Sequence, residues 1–340
     1  MLRRLIVKRS LFAIVQLLGA SIIIFVIVRL LPSDPATAIL GTSVQEEQVE
    51  ALRERLGLNK SIPEQYWIWL QDVFHGDLGR SWFTSNNVVD DLGQRLPATF
   101  ELILLALFVS IVILIPLGVI TARRSRSIYS KVADKGVFSY GMLAGATPDF
   151  WLGLVLLFLF WVQLDWVPAP LGRISISITP PDTITGFLII DSTIQGNWAA
   201  LKSALGHLVL PVFVLAFVYG APLLKMTRNT VSRMLDAEFI DQGRAAGLSD
   251  RMLTRMALKN SLPPVITLAG VVFGFVVGGA VLVETVFSWG GVGQYAVQSI
   301  ANADFNAIQG FVLVATGISI FIYLAVDILH YLIDPRVEAG

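Results

Sequence analysis

Six stretches of this chain are each long and apolar enough to cross a hydrocarbon layer as a helix, which takes about 20 residues. They run over 11–31, 98–122, 137–162, 205–224, 265–287 and 307–333. Charged residues make up 15% of the 340 positions and hydrophobic ones 55%, whereas a soluble domain carries about a quarter charged residues. The runs therefore read as membrane spans of an all-α polytopic protein. The third run contains Pro148-Asp149 and the fourth Pro211, which predicts kinks that neighbouring helices can re-satisfy. Ahead of the first run, MLRRLIVKRS has the basic flank of a signal peptide. The apolar run behind it is too long for one and no small-x-small site closes it, so it is read as an uncleaved first span.

Lys and Arg set the orientation. With the N-terminus inside, Arg3, Arg4, Lys8 and Arg9 are cytoplasmic, as are Arg123, Arg124, Arg126, Lys131 and Lys135, and seven bases from Lys225 to Lys259. The outer segment 32–97 has ten acids against five bases, and 288–306 has no base. The positive-inside rule is then obeyed in every short loop, and both termini lie inside. Trp151, Trp161, Trp166, Trp198 and Trp289 fall at or beyond span ends, where interfacial anchors belong. Segment 32–97 is long enough for a small extracytoplasmic helical subdomain, with one helix over 45–56 ended by Gly57 and another over 63–74 ended near Gly76. Segment 165–202 has too little pattern to assign. The domain scheme is a first span with its tail at 1–31, the outer subdomain at 32–97, a five-helix core at 98–334 that includes a cytoplasmic loop at 229–262, and a cytoplasmic tail at 335–340.

Between the fourth and fifth spans, residues 235–264 form a polar island that is neither Pro/Gly-rich nor of low complexity. Its first part, 238–246, suits a helix. Gly247 stands where that helix would end, in a turn that needs a positive φ, and Ser249 is an N-cap for the next one. There Met252, Leu253, Met256, Ala257 and Asn260 share one face, beside Arg251, Arg255 and Lys259. Two readings stand: a solvated hairpin between spans, or a surface that meets a soluble partner.

Few residues could carry chemistry. The sequence has no Cys, which excludes disulfides, thiolate nucleophiles and Cys-based metal sites. It never contains Gly-Lys, so no phosphate-cradling P-loop can form. No hydrolase or zinc motif occurs, and His75, His207 and His330 are scattered, so neither a catalytic nor a metal site is expected. A net charge of zero with no basic tail gives nucleic acid no landing place. The intramembrane acids Glu101, Asp149, Glu284 and Asp327 lie near membrane faces or a kink, where snorkelling or local hydration accounts for them. Gly270, Gly274 and Gly278 recur every four residues in the fifth span, with Gly279 beside them, a stripe for close helix packing or for a pore-lining helix that slides.

Several segments together are similar to the permease subunits of bacterial peptide-type ABC importers, the dipeptide/oligopeptide/nickel permease family. They are RLLPSDPA at 29–36, LGLNKSIPEQYWIWLQDVFHGDLGRSW at 56–82, LPATFELILLA at 96–106 and TPDFWLGLVLL at 147–157. FIDQGRAAGLSDRMLTRMALKNSLPPVIT at 239–267, VFSWGGVGQYAVQSIANADFNAIQG at 286–310 and YLIDPRV at 331–337 complete the series. The resemblance spans nearly the whole chain in order and implies the type I ABC importer permease fold. It also implies that the polar island is the "EAA" coupling loop, which docks on a cytosolic ATPase. Its acidic-small-small triplet falls on Asp241, Gln242 and Gly243 and its glycine on Gly247, with Glu238, Phe239, Arg244, Ala245 and Leu248 completing the set. Gln242 departs from the small residue of the general motif, and Gly290 follows Trp289 where relatives have proline. Implied partners are a homologous second permease, two ATPase subunits that hold the ATP and magnesium, and an extracytoplasmic solute-binding protein. This chain itself holds no cofactor. Short peptides are the implied cargo, with nickel chelates, glutathione or oligosaccharides as the alternatives in relatives. The competing reading is an autonomous ion-coupled carrier, for which inverted repeats and midplane polar sites are expected and neither is found.

Overall fold

The computed structural model describes residues 2–30, 35–40, 44–123 and 130–333. The tail 335–340, Arg124 and Arg126 of the second inner loop, and parts of the 29–36 and 331–337 stretches lie outside the described residues. In chain order the helices are α1 (Leu2–Arg29), α2 (Pro35–Leu40), α3 (Glu46–Arg55), α4 (Ile62–Phe74), α5 (Val88–Arg123), α6 (Ser130–Ala146) and α7 (Asp149–Leu157). A π-helical turn at Phe158–Gln163 follows, then α8 (Leu188–Ile194), α9 (Trp198–Leu235), α10 (Glu238–Ala245), α11 (Asp250–Val286), α12 (Val292–Ala301) and α13 (Phe305–Ile333). The fold is all-α; the described residues contribute only one isolated β-bridge, Arg80 to Asn87.

Five described helices are long and apolar enough to cross a membrane, within α1, α5, α9, α11 and α13. The sixth expected span is a pair, α6 followed by α7 with its π-turn, bent by 96°. Pro148 explains the break, because it has no N–H to give and pushes Thr147 out of helical geometry. Pro211 and Pro222, by contrast, lie inside α9 without ending it.

The residues cluster into two compact units, Met1–Pro97 with Gly290–Phe321, and Ala98–Trp289 with Ile322–Gly340. In the first, α4 packs on α1 through Phe25, whose ring lies 5.4 Å from Tyr66 and 5.5 Å from Trp69. Both α3 and α4 end as the sequence suggests, at Gly57 (φ 68°) and Gly76 (φ 82°). The rest of the unit is fastened by Asp304, which is fully buried. Its Oδ2 accepts from the Ser81 hydroxyl at 2.6 Å and from the Trp82 and Phe83 amides at 2.9 and 3.2 Å, and Oδ1 accepts from the Ala307 amide at 3.2 Å. A buried carboxylate with four donors is stable where an unpaired one would not be.

In the second unit α9 is central, packing against α6, α7, α8 and α11. The core holds Leu102, Val214, Leu215, Leu223, Val272, Val283 and Trp289 among others. Trp289 corrects its reading as an interfacial anchor: it is 1% exposed, and its indole N–H donates to the Ala98 carbonyl at 2.9 Å. The other four tryptophans are exposed to differing degrees.

Three of the four acids read as snorkelling or hydrated are corrected too, while Asp327 is half-buried. Glu101, Asp149 and Glu284 are buried, each against a donor. Glu101 takes the Arg173 guanidinium on one oxygen and the Ile189 amide, at 2.7 Å, on the other. Asp149 takes the Tyr219 hydroxyl at 2.7 Å and the Phe150 amide at 2.7 Å. Glu284 takes the Thr99 hydroxyl at 2.5 Å. The outer segment 165–202, unassignable from sequence, is organised around buried Asp191, which accepts from the amides of Ile184, Thr185 and Gly186 and from the Thr185 hydroxyl. Burial alone would raise its pKa, but these donors outweigh that and hold it below 3.8.

Candidate functional site

The polar island folds as a helical elbow: α10, a turn at Gly247 and the first turns of α11. The turn is a Schellman closure, with the Leu248 amide donating to the Gly243 carbonyl at 3.0 Å and the Gly247 amide to Arg244 at 3.0 Å. Gly247 has φ 80°, a conformation that costs an L-residue roughly 1–2 kcal/mol. Ser249 then caps α11, its side chain accepting from the Met252 amide at 3.4 Å.

Two residues seat α10. Ile240 is fully buried, in one apolar cluster with Val231 of α9, Ala122 of α5, and Leu253 and Ala257 of α11. Gly243, also buried, lies so close to α11 that a Cβ there would stand 2.9 Å from Leu253 Cδ2 and 3.2 Å from Leu248 Cδ1. The elbow is thus pinned to the ends of three long helices at once. The remaining expected residues divide by face. Glu238, Asp241, Gln242, Arg244, Ala245 and Gly247 are exposed, while Phe239 and Leu248 are half-buried at the edge of the apolar cluster. Asp241 and Arg244 pair at 2.8 Å across one turn, in the open.

The face predicted for the start of α11 needs correction. Leu253, Thr254, Ala257 and Ser261 are the buried positions, whereas Met252 and Asn260 are exposed. Reading Met252 as apolar rotated the face by about one residue. Ile240 was missed altogether, although its three-residue spacing to Gly243 on a short helix is the signal that could have found it.

The glycine stripe lies on α11. A Cβ at Gly270 would meet Val326 at 2.6 Å, and one at Gly274 would meet the Tyr323 hydroxyl at 2.6 Å. Gly278 has nothing within 4 Å; its neighbour Gly279 makes the close approach instead, to the Tyr219 hydroxyl that holds Asp149. Among the described residues no group of three or more metal-ligating side chains occurs.

Geometrically, then, a short helix offers an exposed polar face to solvent and rests its other face on α5, α9 and α11. The family model described as binding-protein-dependent transport system inner membrane component matches residues 114–339, a span that contains the whole elbow, and the companion model for the N-terminal part matches 1–103. The chain belongs to the family of binding-protein-dependent transport permeases. Curated relatives of this family include the probable D,D-dipeptide transport system permease protein of Escherichia coli (strain K12), 37% identical over 324 residues, covering 95% of this chain and 94% of the relative. The dipeptide transport system permease protein of Alkalihalophilus pseudofirmus is 34% identical, covering 97% of this chain and 98% of its own. The di/tripeptide transport system permease protein of Pseudomonas aeruginosa (strain UCBPP-PA14) is 34% identical over 94% of each chain. As a permease of this family the chain is a multi-pass inner-membrane component of a transport system and not an enzyme. Membership also sets aside the autonomous ion-coupled carrier.

Proposed function

We propose that this permease is one half of an ATP-driven importer for short peptides, and that α10 is where the force enters. A homologous second permease completes the pore, two cytosolic ATPase subunits hold ATP and magnesium, and an extracytoplasmic binding protein delivers cargo. Both termini face the cytoplasm, which puts the elbow on the ATPase side. The outer subdomain 32–97 meets the binding protein; the other parts of the chain are the first span with its tail (1–31), the five-helix core (98–334) and the cytoplasmic tail 335–340.

The observation that carries this reading is the seat of α10. With Ile240 and Gly243 locked against α5, α9 and α11, a push on the exposed residues Asp241, Gln242 and Ala245 cannot be absorbed locally. Interiors are close-packed and transmit displacement rather than deform. Peptide cargo is supported by the relatives' names, which specify dipeptides and tripeptides. The test is reconstitution of the four-subunit membrane complex in liposomes with a labelled dipeptide and the binding protein. Uptake requires ATP inside, where the ATPases are. Uptake by this chain alone, driven by an ion gradient, would refute the proposal.

A further inference from the structure

In the second unit, α6 and α9 leave a cleft of about 800 Å³ between them, and nothing in the transport reading uses it. One end is lined by Lys135, Lys225 and Arg228 with a single acid, Asp134. The other end is apolar, widened by Gly141 and Gly145, where an added Cβ would meet nothing within 4 Å. From Lys135 to Gly145 along α6 is roughly 15 Å at 1.5 Å per residue, half the thickness of a hydrocarbon core of about 30 Å. The cleft has the depth of one leaflet.

Its cations are not simply reaching for water. Lys135 and Lys225 are exposed and without an acidic partner among the described residues. Arg228 is different: its side chain is 15% exposed, one terminal nitrogen pairs with Asp134, and its Nε is buried with no acceptor. The Arg228 guanidinium lines the cleft, and phosphate oxygens are the best-matched partners for its planar fork of N–H donors.

We infer that this cleft binds an anionic phospholipid of the inner leaflet, its phosphate on Arg228, Lys225 and Lys135 and an acyl chain along Gly141 and Gly145. Three cations against one acid favour a lipid with net negative charge over a zwitterionic one. The apolar half, a leaflet deep, distinguishes a lipid from a free phosphate, which would leave it empty. The inference rests on the orientation proposed above, which is read separately. The chain has no cysteine, so a single cysteine placed at 135 reports which side a membrane-impermeant thiol reagent reaches.

The experiment is a lipid titration of the assembled, delipidated complex by native mass spectrometry, with phosphatidylglycerol, phosphatidylethanolamine and glycerol phosphate as the three probes. Phosphatidylglycerol should bind the wild type at least about tenfold more tightly than phosphatidylethanolamine, two net cations' worth of discrimination, and glycerol phosphate should give no adduct. Arg228→Gln and Lys225→Gln should each weaken the phosphatidylglycerol adduct about fivefold. Gly145→Leu, which fills the apolar half and leaves every cation in place, should abolish it, and Lys202→Gln at the opposite end of α9 should leave it unchanged. Equal binding of the two lipids, or indifference to Gly145→Leu, overturns the inference. So does an adduct on the isolated chain that is absent from the assembled complex, since the cleft would then be the seat of the second permease. Should the Arg228 variant fail to assemble, the wild-type lipid comparison and Gly145→Leu still decide.

Discussion

Truncating Ile240 to alanine should unseat α10 without unfolding the membrane core. Ile240 is fully buried, packed among Val231, Leu253 and Ala257. An Ile→Ala change at such a site costs about 2–5 kcal/mol. The penalty falls on an eight-residue helix, too short to be stable without tertiary support. Since 1.4 kcal/mol is tenfold in an equilibrium constant, the docked state of α10 loses a factor of roughly 30 to a few thousand. The long helices it rests on are held by the separate core around Leu215, Leu223 and Val272 and should stay put. Hydrogen exchange on the reconstituted complex should show faster exchange confined to 238–248, with ATP hydrolysis no longer tied to peptide uptake. Ile240→Val, costing about 0.5–1.5 kcal/mol, should keep most of the coupling. Normal coupling in Ile240→Ala, with exchange at 238–248 unchanged, would refute the idea that this contact seats the helix.

Gly247→Val should cost roughly 1–2 kcal/mol through its left-handed backbone alone, because a Cβ there has open space. Gly247→Asn should retain most transport, and equal loss in both variants would point to a contact instead of a conformation. Glu101→Gln strips the carboxylate from the Arg173 guanidinium in a largely buried pair, at about 3–5 kcal/mol, and should lower the melting midpoint of the complex by several degrees; no shift would mean the pair is already solvated. Asp191, with its pKa held below 3.8 by Thr185 and the adjoining amides, stabilises the 165–202 segment above the ordinary carboxylate pKa, and that stability is lost as pH falls through the lowered value. Proteolysis of this segment should therefore be pH-independent from 5 to 7 in the wild type and faster throughout in Asp191→Asn. Acceleration already at pH 5 in the wild type would contradict the assignment.

The long apolar runs and the turns at Gly57, Gly76 and Gly247 were legible because they depend on local chemistry: residues per bilayer thickness, and backbone that only glycine adopts cheaply. The elbow's existence was legible for the same reason. What seats it was not, since Ile240 meets Val231 and Ala122 only through the packing of three distant helices. The pairs that hold Glu101 and Asp149 were likewise hidden. Arg173 is 72 residues from Glu101 and Tyr219 is 70 from Asp149, and no periodicity links such partners. Trp289 shows the limit of a rule that works on average. Its place just beyond a span end marks an anchor, yet the Ala98 carbonyl gives its N–H a buried acceptor, and burial follows. Similarly, Gly278 continues a four-residue register on paper, while the close contact falls to Gly279 because Tyr219 approaches from α9.

Disulfide or thiol-specific cross-linking from α10 puts the borrowed-power mechanism to its most direct trial, and a chain with no native cysteine makes the result unambiguous. Single cysteines at 241, 242 and 245 on the exposed face should each cross-link to the ATPase subunits in the nucleotide-loaded complex, and a cysteine at 202 should not. If none of the three α10 positions reaches an ATPase in any nucleotide state, force does not enter through this helix.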